Sequence, residues 1–173
     1  MKLFVYGSLL NPDSAGRALK RRPGPEQLTP VTLPGYRLIW NSISRIHSAT
    51  AGEIDASFLN LAAAPGVSAP GCLLDIDADE LARLCQREKG YVAREIDCLT
   101  ATGEVVAALA FIDERPPPSR LPPVLAAYLA KIEAGLALLP PDFAVAWRAA
   151  LPPPQALIDG DYYFVDGAQR DNT

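Results

Sequence analysis

Residues 2–6, Lys-Leu-Phe-Val-Tyr, form a short run of apolar, β-branched and aromatic side chains that reads as a buried strand, and it stops abruptly at Gly7-Ser8. The rest of the chain has to pack around a strand whose end delivers a glycine turn. Lacking a Cβ, Gly7 can take positive φ and let a ligand approach bare backbone N–H groups, and Ser8 adds a hydroxyl that donates and accepts. Tyr6, Gly7, Ser8 and Leu9 thus make a cradle suited to a small polar head group.

The 173 residues, 49% hydrophobic and 21% charged, suffice for one well-buried core and are short for two. One domain is expected at residues 1–151, with 152–173 as a tail in which Tyr162-Tyr163-Phe164-Val165 can add an edge strand. The net charge is −4, and the basic residues are scattered apart from Lys20-Arg21-Arg22, so neither a nucleic-acid nor a membrane partner is supported. No stretch nears the roughly 18 apolar residues of a spanning helix and no signal peptide is recognisable, so a cytoplasmic location is expected. Cys72, Cys85 and Cys98 lack metal-type spacing and lie in apolar patterns, as small buried hydrophobes do. A single histidine, His47, removes most zinc and Ser-His-Asp arrangements. Nothing in the sequence sets an oligomeric state.

Asn11 can cap a short helix that starts at Pro12 and turns Ala15, Ala18 and Leu19 inward. Residues 28–33 and 36–40 read as two strands or one bent strand around Pro34-Gly35, and the polar residues 41–52, with His47, read as an exposed loop. Strands are expected at 56–61 and 71–76, connected by 63–70. A returning pair is expected at 91–99 and 104–112, joined through Thr102-Gly103. Proline-rich 115–123 is an extended connector, 124–139 a helix with an apolar stripe, and 143–151 a shorter helix.

Between these strands Asp77-Ala78-Asp79-Glu80 has the form of a capping box, and the helix it opens places Leu81, Leu84, Cys85 and Glu88 on one face. A carboxylate on an apolar face is desolvated, which raises its pKa and suits it to general acid/base work near neutrality. Periodicity leaves two other readings open: the helix end could frame Glu88 at the surface, or Arg87 or Arg94 could pair with it. Gly90 is placed to end the helix, so the carboxylate stands at a helix-to-strand junction.

Tyr6-Gly7-Ser8-Leu9-Leu10 after an N-terminal strand resembles the glycine-turn signature of the γ-glutamylcyclotransferase-like (AIG2-like) proteins. Arg87-Glu88-Lys89-Gly90-Tyr91 is similar to the segment that bears the acid/base glutamate in that family and in the related ChaC group. Leu33-Pro34-Gly35-Tyr36-Arg37-Leu38, Phe58-Leu59-Asn60-Leu61 and Pro70-Gly71-Cys72-Leu73-Leu74 follow in the family's order, as does the 128–143 stretch, so the likeness runs from about Leu3 to Trp147. One position departs: Cys85 stands where family members often carry an aspartate.

The resemblance implies an α+β fold, a small, mostly antiparallel, barrel-like sheet flanked by helices. It also implies cyclisation of a γ-glutamyl group to 5-oxoproline, with Glu88 as catalytic acid/base and no metal or organic cofactor. Tyr6, Gly7, Ser8, Leu9 and Tyr91 would then bind the small-molecule γ-glutamyl substrate, with Arg37 and Asn60 as weaker candidates. Two rivals stand beside this: a non-catalytic small-molecule binding or regulatory module on the same fold, and an enzyme acting on another acyl-amine.

Overall fold

The computed structural model describes residues 1–166, and its largest feature is a pair of long strands. Strand β2 (Thr29–Ser48) pairs antiparallel with β3 (Gly52–Asp75) along nearly its whole length, from Thr29↔Leu73 to Ser48↔Gly52. Both strands are irregular, with register shifts at Pro34/Tyr36 and Ile39/Ser42. Such bulges bend a ribbon and strengthen its twist, which lets one half of it serve a closed sheet while the other half projects as an arm.

The closed half is completed by β1 (Lys2–Val5), β4 (Val92–Leu99) and β5 (Val105–Ile112). The order β3-β1-β5-β4-β2, with β2 paired back to β3, makes a five-stranded barrel. All its pairings are antiparallel except β1 with β5. By the register, Phe4, Leu33, Leu73, Cys98 and Ala110 share the inner face and fill the interior, while Leu3, Cys72 and Leu74 are buried on the other face of the sheet. Four helices flank the sheet: α1 (Pro12–Leu19), α2 (Ala78–Arg87), α3 (Ala126–Leu136) and α4 (Pro141–Ala150). None of the described helices is long and apolar enough to cross a membrane.

The arm carries three short strands. Here β6 (Val124–Leu125) joins β3 in parallel, β7 (Leu157–Ile158) joins β6, and β8 (Tyr162–Phe164) pairs antiparallel with β2 at Ile46, His47 and Ser48.

Several expectations are corrected here. Residues 41–48 are strand, not loop: Ser42, Ile46 and Ser48 are buried at a period of two, and His47 stacks on Tyr163 at 4.9 Å. The polarity was misleading because the buried serines are satisfied, Ser42 Oγ donating to Asp113 at 2.8 Å and Ser48 Oγ accepting from the Ala51 amide at 3.3 Å. Residues 63–70 are likewise part of β3, with 64–67 bulging out opposite Gly35 alone. Helix α3 starts only at Ala126, since Val124-Leu125 is drawn into the sheet by the Val124 amide donating to Ala156 at 2.9 Å. Cys72 and Cys98 are buried, but Cys85 is exposed. The buried face of α2 is centred on Leu84 with Glu80, and Cys85 lies about 100° round the helix from it.

Candidate active site

Strand β1 leads into Tyr6-Gly7 and then a single 3₁₀ turn, Ser8–Leu10, whose end is closed by the amides of Leu10 and Asn11 donating to Gly7 and Ser8 carbonyls. As the first residues of this turn, Ser8 and Leu9 have amides with no carbonyl partner inside it. The side chain of Asn11 caps α1 by accepting from the Asp13 and Ser14 amides, and its Nδ2 donates to the Lys131 carbonyl at 2.9 Å. One residue therefore fixes the turn, α1 and α3 together. Gly7 does not take positive φ: its φ is −124°. A Cβ there would sit 3.3 Å from the Tyr128 hydroxyl, a tight approach that needs Tyr128 to give by a few tenths of an ångström, and 3.9 Å from Leu59, an ordinary contact.

The capping box of α2 is present, Asp77 accepting from the Glu80 amide at 2.8 Å and Glu80 from the Asp77 amide at 3.0 Å. Glu80 is also held by Arg21 at 2.6 Å, an ion pair that ties α2 to the end of α1. Glu88 is the C-cap of α2, its amide donating to Leu84 at 2.8 Å, and Gly90 at φ +89° turns the chain toward β4. The Glu88 side chain is 20% exposed and 3.4 Å from Arg87 Nε. Arg87 is itself anchored on the buried Ser14, donating to its carbonyl and its Oγ at 3.2 Å each. Burial pushes the Glu88 carboxyl above its ordinary range, with Arg87 opposing, so the upward shift is what remains.

Two adjoining cavities meet at this carboxylate, sharing Ser8, Glu88, Tyr91 and Tyr128 in their walls. One, of about 390 Å³ with its mouth, is formed by the Tyr6–Leu9 segment with Leu59 and Phe111. The other, of about 480 Å³ with its mouth, is formed by Arg87 and Lys131 with Phe58, Tyr162 and Phe164. Glu88 is the one carboxylate lining either cavity among the described residues. The phenols around it are pushed up and stay neutral at physiological pH, Tyr6, Tyr91 and Tyr128 all by burial first.

The glycine turn and Glu88, far apart in sequence, are thus brought together. Tyr91 reaches the same place, although its hydroxyl already donates to the Leu59 carbonyl at 2.8 Å. Tyr6 lines a cavity while its hydroxyl donates to the Phe111 carbonyl at 2.6 Å. Arg37 is exposed and lines neither cavity. Asn60 is buried in a separate network, donating to Asn41 and to the Asp113 carbonyl at 2.8 Å each. Sequence reasoning missed Tyr128 and Lys131, because a tyrosine on a helical apolar stripe reads as core and a lone lysine as solvated surface. Among the described residues no group of three or more His, Cys, Asp and Glu side chains could hold a metal ion.

A small closed barrel with a half-buried carboxylate beside a glycine turn defines a γ-glutamyl cyclotransferase-like protein. The family described as "Gamma-glutamyl cyclotransferase, AIG2-like" matches residues 3–127, and the chain belongs to it. Solved structures agree in fold. A γ-glutamyl cyclotransferase is similar at 18% identity and TM-score 0.64, with 88% of each chain covered. YkqA from Bacillus subtilis is similar at 21% identity and TM-score 0.61, over 88% of this chain and 55% of that one. A yeast γ-glutamyl cyclotransferase specific to glutathione is similar at 13% identity and TM-score 0.53, over 87% and 96%. No curated protein matches the chain in sequence.

Proposed function

We propose that the protein cyclises the γ-glutamyl group of a γ-glutamyl amino acid, amine or peptide to 5-oxoproline and releases the amine, with Glu88 as general acid/base. The observation that carries this reading is the placement of Glu88, the one carboxylate at the junction of both cavities among the described residues, with its pKa raised by burial. The substrate brings its own nucleophile. Its α-ammonium gives a proton to the Glu88 carboxylate, and the freed amine attacks the γ-carbonyl to form the new C–N bond. Glu88 passes that proton to the departing nitrogen and takes up the second proton shed by the newly bonded nitrogen. The oxyanion collapses, the old C–N bond breaks, and the second proton follows the first, so that the ring nitrogen keeps one hydrogen and the amine leaves as its ammonium. No water and no oxidant enters the balance.

Holding the γ-glutamyl chain curled makes the attack intramolecular, which is worth several kcal/mol of barrier at effective molarities of ~10⁵ M or more. In this reading the amides of Ser8 and Leu9, which have no carbonyl partner within the turn, bind the substrate's α-carboxylate or the oxyanion, and Tyr91, which lines the same cavity, walls the reacting centre. The test is 5-oxoproline release from a panel of γ-glutamyl compounds by wild type and Glu88→Gln. A fall in kcat of about 10²–10⁴-fold in a folded variant is expected. Equal activity in the two proteins would remove Glu88 from the chemistry, and release by neither would favour a non-catalytic binding module.

A further inference from the structure

The inference rests on the cyclotransferase reading and concerns what leaves. The amide bond to be broken must lie at Glu88, where the cavities join, so the γ-glutamyl head and the leaving amine fall on opposite sides of it. The head fits the side built from the backbone of the glycine turn. The other side differs in character: it has a cation, Lys131, and aromatic walls. Phe58 lies 5.2 Å from Phe164 and 6.1 Å from Tyr162, ring centre to ring centre, and Lys131 Nζ stands 5.5 Å from the Tyr162 ring centre.

We propose that this side receives the leaving group, and that Lys131 selects leaving amines bearing their own carboxylate and an apolar side chain, as in a γ-glutamyl amino acid with an aromatic residue. Arg87 is spent on Glu88 and Ser14, whereas Lys131 is in no ion pair among the described residues. Burial, helped by Arg17 and Arg87, pulls the Lys131 amine down to about 8, so its charge at neutral pH is held at a cost that an arriving carboxylate relieves. The backbone from which Lys131 projects is anchored, its carbonyl accepting from Asn11 Nδ2 at 2.9 Å. Lys131, Tyr162 and Phe164 lie outside the matched residues 3–127, and Phe58 lies within them, so this wall is built from both parts of the chain.

Three ligands isolate the charge: γ-glutamyl-phenylalanine, its C-terminal amide, and γ-glutamyl-phenethylamine. For wild type the KM for the acid should be lower than for either neutral ligand by about tenfold or more, the value of one charge-assisted hydrogen bond. In Lys131→Met the gap should close to within about twofold (that is, under half a kcal/mol), chiefly by a rise in KM for the acid, and Lys131→Arg should restore part of it. Equal KM values in wild type, or a gap that survives Lys131→Met, would overturn the proposal. Calorimetric binding of the same ligands to Glu88→Gln separates the two readings. If wild type releases no 5-oxoproline while Glu88→Gln still prefers the acid about tenfold, catalysis fails and the carboxylate site stands. Turnover of all three without preference rejects the site and keeps the enzyme, and binding of none rejects both.

Discussion

At the scale of the residue, the proposed chemistry turns on how far Glu88 is lifted and what limits the lift. Burial raises it and Arg87, 3.4 Å away, lowers it. The general base must be ionised, so kcat/KM should fall as pH drops through a value above the ~4.3 of an ordinary glutamate. Removing the opposing cation in Arg87→Met should move that acid limb to higher pH, which a pH–rate profile reads directly; a limb that moves down would show that Arg87 acts otherwise. The same shift has a thermodynamic side. A carboxyl raised in the folded state favours the protonated native form, so its contribution to stability falls as pH rises through the folded value. Glu88→Gln should therefore melt no lower than wild type at neutral pH. Glu88 was legible at this scale from helical spacing and motif, whereas Cys85 was not, because one step along a helix turns a side chain about 100° off the contact face.

At the scale of the element, the site depends on how closely α3 approaches the glycine turn. A Cβ on Gly135 would lie 2.7 Å from the Leu10 carbonyl group and from the Asn11 amide nitrogen, all backbone atoms that cannot rotate away. Gly135→Ala should thus destabilise the fold by about 1–3 kcal/mol, despite the gain of up to ~1 kcal/mol in helix propensity. Denaturant titration would measure it, and a stabilised variant would mean that α3 is free to shift. Caps were readable in advance, since Asn11-Pro12 and Asp77 with Glu80 act through neighbours in sequence. The long strands were not: the serines of 42–48 look like loop until Asp113, more than sixty residues on, is there to accept from Ser42.

At the scale of the whole molecule, one polar network joins β2, β3 and the end of β5. Asp113 accepts from Ser42 at 2.8 Å and from Arg115 Nε at 2.8 Å, while its amide donates to Asn60 at 2.9 Å. Burial would raise the Asp113 carboxyl, but the hydrogen bonds from Arg115 and Ser42 outweigh it and hold it below the usual range. A depressed carboxyl stabilises the fold fully above its unfolded value of ~3.9, and that contribution is lost as pH falls through the folded value. Asp113→Asn should cost about 1–3 kcal/mol at neutral pH, with the gap to wild type constant down to about pH 4 and shrinking below it. Thermal melts across pH would show this, and a gap that widens with acid would contradict it.

The sequence by itself determined the strand-to-glycine start, the caps of α1 and α2 and the β4–β5 hairpin. These are local: each depends on residues a few positions apart, where spacing alone sets direction. Only the tertiary structure decided that β2 and β3 run on into an arm, and that Tyr128, Lys131 and Tyr162 face Glu88. Those placements come from barrel closure and from β8 returning to β2, pairings between distant segments whose polar groups are satisfied only once both are present.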